Sequence, residues 1–87
     1  MTTLPERPLL NRRYRMQYEA AQQAHVLLYP EGMVRLNQSA AEILKRCDGN
    51  ATVDQIVEQL EAAFNASGLR DDVLGLLAHA HDKDWIR

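Results

Sequence analysis

Apolar and polar residues alternate along Tyr14-Arg15-Met16-Gln17-Tyr18-Glu19, the period-2 pattern of a strand with one buried face. A second strand is predicted over His25-Val26-Leu27-Leu28-Tyr29, which is rich in β-formers and continuously apolar after the histidine. Met33-Val34-Arg35-Leu36 predicts a returning third strand. Between the last two, Pro30 fixes φ and removes a donor, and Gly32 permits a positive φ, so Pro30-Glu31-Gly32 reads as a turn. Ala20–Ala24 has helix-favouring composition but sits between two strand patterns, which predicts a loop or long turn.

Beyond Leu36 the period changes to that of helices. Ser39-x-x-Glu42 predicts a capping box, with Ile43, Leu44 and Cys47 on one face and Asp48-Gly49 as the stop. Thr52-x-x-Gln55 predicts a second capping box, followed by a stripe of Val53, Ile56, Val57, Leu60 and Phe64 that ends at Asn65-Ala66-Ser67-Gly68. A third helix is predicted from Arg70-Asp71-Asp72, whose acids suit the positive end of the macrodipole, with Val73, Leu76, Leu77 and Ala80 as its stripe. Trp85-Ile86 reads as a cap over the core. The order is β-β-β-α-α-α. This predicts an α+β, winged helix-turn-helix-like domain: a three-stranded antiparallel sheet followed by three helices. Residues 1–11, with two of the three prolines and no periodicity, are expected to form a flexible arm, leaving residues 12–87 as the domain.

At 87 residues the chain makes one domain, and 46% hydrophobic with 25% charged content is typical of a soluble globular protein. A chain this short buries only about 60–65% of its unfolded surface, which leaves little room for a deep cleft and its supporting shell. The lone Cys47 excludes an internal disulfide and fits a reducing compartment. Neither a signal-like apolar run nor a membrane-length stretch occurs, so the cytoplasm is the default expectation. Charge is unevenly placed: residues 1–37 carry five Arg against three Glu, whereas residues 38–87 carry five Lys/Arg against nine Asp/Glu. The helical half is therefore acidic.

Leu27-Leu28-Tyr29-Pro30-Glu31-Gly32, then Leu36-Asn37-x-Ser39-Ala40-x-x-Ile43-Leu44, then Cys47-Asp48-Gly49 with Thr52-Val53, form an ordered series that resembles the pyrroloquinoline quinone biosynthesis protein D (PqqD) family. Arg13-x-x-Met16-x-Tyr18 and the final Trp85-Ile86 agree with it. The resemblance extends from about Pro8 to the end. One departure is Asp84, where the family pattern leads one to expect a glycine before the tryptophan. The resemblance implies a winged-helix RiPP recognition element. Such a domain binds a ribosomal precursor peptide and presents it to a modifying enzyme, here the radical S-adenosylmethionine (SAM) enzyme that cross-links the precursor's glutamate and tyrosine. It further implies that the leader peptide adds as a strand beside the third strand and lies against the third helix.

The residues reach a compatible mechanism on their own terms. If Met33–Leu36 is an edge strand, its unpaired backbone groups can be satisfied by an extended peptide through β-augmentation. Specificity then falls to side chains. Val34 and Leu36 share one face of the strand, and Leu74, Leu77, Ala78 and His81 form a flank of the third helix that could line a groove with them. Arg35 points the other way and either pairs with a peptide acid or is solvated. Plain core packing is the competing reading for Val34, Leu36 and Leu77. The candidate peptide-binding set is thus Met33, Val34, Arg35, Leu36, Leu74, Leu77, Ala78 and His81. Val34→Pro is expected to abolish peptide binding if the Val34 N–H faces outward. The same free edge makes pairing between two copies, a homodimer through the strand edge, a hazard.

Other chemistry is poorly represented. His79 and His81 are two apart, on different faces of a helix, and with one cysteine no metal site is expected. Cys47 falls on an apolar face and reads as an inert core thiol. No nucleophile–base constellation, phosphate-binding loop or dinucleotide fingerprint occurs, so neither catalysis nor a cofactor is expected. Asp54, Glu58 and Glu61 read as a solvated face or as a docking surface for a basic partner. Arg7, Arg12, Arg13 and Arg15 pose the matching question at the N-terminus. The main rival is a winged-helix DNA-binding protein, but Arg70-Asp71-Asp72 and Asp82-Lys83-Asp84 leave the last helix net acidic, a poor phosphate binder. A small acidic carrier protein lacks an Asp-Ser attachment site, since Ser39 follows Gln38 and Ser67 follows Ala66.

Overall fold

The computed structural model describes residues 4–87. Three strands, β1 (Arg15–Glu19), β2 (Ala24–Tyr29) and β3 (Gly32–Arg35), form an antiparallel sheet in the order β1-β2-β3. Three helices follow: α1 (Gln38–Lys45), α2 (Val53–Ala63) and α3 (Arg70–Asp82). The predicted α+β order holds throughout. Residues 20–23 form the turn between β1 and β2, with Gln23 at φ 52°. Pro30-Glu31 is the two-residue loop of the hairpin, closed by Tyr29 paired with Gly32.

The register places Met16, Leu27 and Val34 side by side across the sheet. Leu27 is fully buried, and Met16 and Val34 pack against the same cluster. The fully buried Val26 points to the other face, flanked by Gln17 and Arg35, and lies outside that cluster. α1 is the central helix. It packs on β2, α2 and α3 through Ala40, Ala41, Ile43 and Leu44, while Val73, Leu77 and Ala80 supply the buried stripe of α3.

Three local expectations change. α1 is capped by Asn37, whose Oδ1 accepts the Ala40 N–H at 2.7 Å, two residues before the expected Ser39 box. Asparagine caps as well as serine, and the earlier start leaves the Glu42 side chain to Lys45 and Arg46. The Thr52–Gln55 box forms as predicted, with both reciprocal bonds. The α2 stripe loses its last member, because Phe64 is the C-cap and is 48% exposed.

The third change concerns the arm expected over residues 1–11. Residues 1–3 lie outside the described residues, but Pro8 to Asn11 are stitched to the body. Leu9 and Arg87 exchange backbone hydrogen bonds, the Leu10 N–H donates to Cys47, the Asn11 N–H to Trp85, and the Gly49 N–H to Pro8. Proline and missing periodicity signalled an arm, yet a short bridging segment needs only backbone groups and so leaves no periodic trace. Asn11 is 1% exposed: its Nδ2 donates to the Asp84 carbonyl at 3.0 Å and its Oδ1 accepts the Arg13 N–H at 3.1 Å. Asp84 holds a left-handed φ of 63°, the conformation for which glycine is suited, while the Trp85 N–H reaches back to the Ala80 carbonyl. Trp85 and Ile86 are thereby folded into the core.

Candidate peptide-binding edge

Among the described residues β3 pairs only with β2, so its second side is an edge. The Leu36 N–H donates to His25 at 2.9 Å, which sets the phase of the ladder. Hydrogen-bonded and non-bonded pairs alternate in an antiparallel pair, so Leu27/Val34 and Tyr29/Gly32 are bonded pairs. The Val34 N–H therefore faces β2. The condition attached to Val34→Pro fails, and the outward backbone groups belong to Met33 and Arg35.

The other candidates divide by burial. Met33 is 46% exposed, Arg35 is exposed, and Val34 is half-buried against the core. Arg35 lies on the opposite face from Val34 and Leu36, as expected from alternation. Leu36 and Leu77 are 4% and 0% exposed and sit in one core cluster. They are packing residues and offer no surface to a ligand. Leu74, Ala78 and His81 are half-buried and recur at i, i+4 and i+7, one flank of α3. Leu36 and Leu77 share one core cluster, to which Val34 packs, but Leu74, Ala78 and His81 lie outside it.

A cavity of about 680 Å³ that sequence reasoning missed opens at the far end of β3, lined by Tyr18, His25, Arg35, Leu36, Asn37 and Glu42 among others. The Tyr18 and His25 rings meet edge-to-face with centroids 5.3 Å apart. They face each other only because the register pairs 18 with 25, which no local pattern reveals. Glu42 is not a free negative charge: hydrogen bonds from Lys45 and then Arg46 hold its carboxyl below the ordinary range.

The remaining chemistry-bearing residues are occupied structurally. Cys47 is buried, its Sγ donates to the Ile43 carbonyl at 3.5 Å, and burial aided by the Asp48 charge pushes its thiol up to about 12. His79 is exposed and meets Trp85 edge-to-face at 5.3 Å. Asp54 pairs with Arg70 at 2.7 Å, and Glu61 accepts the Leu69 N–H at 3.0 Å, so two of the three acids on α2 brace the α2–α3 connection. Arg7 donates to the Asn50 carbonyl and Arg13 lies 3.9 Å from Glu31. Among the described residues, no three His, Cys, Asp or Glu gather in a way that could hold a metal ion, and no helix is long and apolar enough to cross a membrane.

Residues 24–86, which span the edge and all three helices, match the family model described as Coenzyme PQQ synthesis protein D (PqqD). The chain belongs to the PqqD family. A relative from Acinetobacter baylyi named PqqA binding protein is 51% identical over 80 residues, which are 91% of this chain and 81% of the relative. The solution structure of the PqqD truncation of Methylobacterium extorquens PqqCD superposes with a TM-score of 0.77 at 33% identity, covering 92% of this chain and 87% of that one. That protein is described as a functional, stand-alone RiPP recognition element. The crystal structure of PqqD from Xanthomonas campestris superposes at 0.61 with 34% identity, covering 90% and 89%.

Proposed function

We propose that this protein binds the ribosomal precursor peptide of pyrroloquinoline quinone and presents it to the radical SAM enzyme that cross-links it. The observation that carries the reading is the free side of β3, where Met33 and Arg35 turn unpaired backbone groups outward beside a half-buried Val34. An extended peptide satisfies those groups as a fourth strand. Leu74, Ala78 and His81, the half-buried flank of α3, are the side chains we assign to the peptide's specificity, while Leu36 and Leu77 stay in the core. β1 is the other edge, but Arg15, Gln17 and Glu19 occupy alternate positions along it, and charged residues discourage added strands. The names of the A. baylyi relative and the M. extorquens structure support the same reading.

The protein works as a binding module with no chemistry of its own, in the reducing cytoplasm that suits its single thiol. The acidic first turn of α3, Asp71 and Asp72, weighs against the DNA-binding alternative. Calorimetry with the precursor peptide, paired with amide shifts in labelled protein, tests the proposal. Saturable binding with the largest shifts at Met33 and Arg35 is expected. Binding that leaves both amides unmoved contradicts it.

A further inference from the structure

β3 ends at Arg35, and the chain passes through Leu36 and Asn37 into α1. The cavity of about 680 Å³ opens at that departure. It is lined by the strand residues Tyr18, His25 and Arg35 and by the start of α1 with its cap, Asn37, Gln38 and Glu42. Arg35 belongs to two features at once: it lines the cavity, and its backbone N–H is one of the outward donors of the edge. A peptide added along β3 therefore meets the cavity as it runs past the end of the strand.

The charges around this space do not balance. The Arg35 side chain is exposed and makes no ion pair or hydrogen bond among the described residues. Glu42 is the one carboxylate in the lining, and Lys45 at 3.0 Å and Arg46 at 3.1 Å already hold it. α1 carries no acid in its first turn, so the positive end of its dipole adds to the field of Arg35. The Tyr18 and His25 rings, with centroids 5.3 Å apart, give the space an aromatic wall. One uncommitted cation, no uncommitted anion and an aromatic wall suit a carboxylate on a short methylene stem and disfavour a basic side chain.

We infer that this cavity is a subsite for one acidic side chain of the strand-added peptide. The carboxylate pairs with the Arg35 guanidinium, and the methylenes rest on Tyr18 and His25. The inference rests on the peptide-binding role proposed for β3 and adds what that role lacks. Backbone pairing along an edge is nearly indifferent to sequence and can slip, whereas a charge pair at the strand's end fixes which peptide residue stands there.

The test is a double-mutant cycle read by calorimetry at low salt. Wild-type protein, Arg35→Gln and Tyr18→Ala, all of which keep the outward Arg35-position amide, are titrated with the precursor peptide. They are also titrated with versions in which each Asp or Glu is replaced singly by its amide, and with a C-terminally amidated version. For wild type, one replacement is expected to weaken binding about three- to tenfold. Arg35→Gln is expected to weaken the unmodified peptide by a similar factor, to lose less than about twofold more from that same replacement, and to differ less from wild type at high salt. Tyr18→Ala is expected to weaken acid and amide peptides alike, by about twofold or more, since the methylenes are common to both. Circular dichroism establishes that each variant is folded. If no replacement has a cost that depends on Arg35, the inference is overturned while strand addition stands. Unchanged affinity in Tyr18→Ala overturns the cavity as the seat of the pair. An Arg35 dependence that vanishes on amidating the C-terminus makes the terminal carboxylate the ligand and overturns the side-chain subsite. Wild-type protein that does not bind the unmodified peptide refutes the peptide-binding reading itself.

Discussion

A proline scan of β3 separates the outward from the inward side of the strand. Met33→Pro and Arg35→Pro each remove an outward N–H, whereas Val34→Pro removes the one that bonds to Leu27 inside the sheet. A single edge hydrogen bond is worth about 1 kcal/mol net, and the peptide carbonyl it leaves behind is only partly shielded from water. A total loss of about 1–2 kcal/mol, or roughly 5- to 30-fold in Kd, is expected for each outward proline. The sheet itself is expected to remain intact, since no β2–β3 bond is lost. Val34→Pro removes a ladder bond and the packing of a half-buried side chain, at a cost of about 3 kcal/mol. That is a large share of the roughly 4–13 kcal/mol typical of a domain this size. The assay is calorimetric titration with the precursor peptide beside a denaturant melt, with Met33→Ala and Arg35→Ala as side-chain controls. Outward prolines that bind peptide like their alanine controls refute the strand-addition reasoning. A Val34→Pro variant of unchanged stability refutes the assigned register.

Asn11→Ala leaves the Asp84 carbonyl and the Arg13 N–H without partners, so a loss of about 2–3 kcal/mol and a fall of roughly 10–20 °C in Tm are expected in a thermal melt. Asp84→Gly relieves a left-handed non-glycine residue and keeps the carbonyl that Asn11 reaches, so the same melt is expected to show a gain of about 0.5–1 kcal/mol. The Asp48 carboxylate is held below its ordinary range by the N–H groups of Ala51 and Asn50. Its folded pKa is depressed, so its contribution is present above the unfolded value near 4 and is lost as pH falls further; stability curves between pH 5 and 3 are expected to fall less steeply for Asp48→Ala than for wild type. Cys47, pushed up to about 12 by burial, is expected to resist a thiol reagent at pH 8 until guanidinium unfolds the chain; prompt labelling of the native protein contradicts that placement.

The strands, the Thr52 box and the buried stripes of α2 and α3 were legible because each is a local pattern: alternation, a side chain reaching three residues, or an i, i+3, i+4 repeat. Asn37 caps α1 although Ser39 shows the stronger local signal, because Glu42 stands at the box spacing from Ser39 and only Ala40 at that spacing from Asn37. Phe64 continued the stripe on paper, but the helix ends there and the chain turns through Asn65 at φ 49° and Gly68 at φ 73°, which leaves Phe64 48% exposed. Of the candidate site, Met33 and Arg35 stand at the edge as the strand argument expected. Leu36 and Leu77 do not, because alternation and helical period name a face without saying whether another element already fills it.

By itself, the sequence determined the element order, the hairpin and the acidity of the helical half, since these depend on neighbours within a few residues. Only the tertiary structure decided which strand edge stays open, that the outward donors are Met33 and Arg35, and that Pro8–Asn11 seal the Trp85–Ile86 tail. These depend on hydrogen bonds between residues far apart in the chain, such as Asn11 with Trp85 and Leu9 with Arg87. Backbone groups are alike at every position, so their partners leave no mark in the order of side chains.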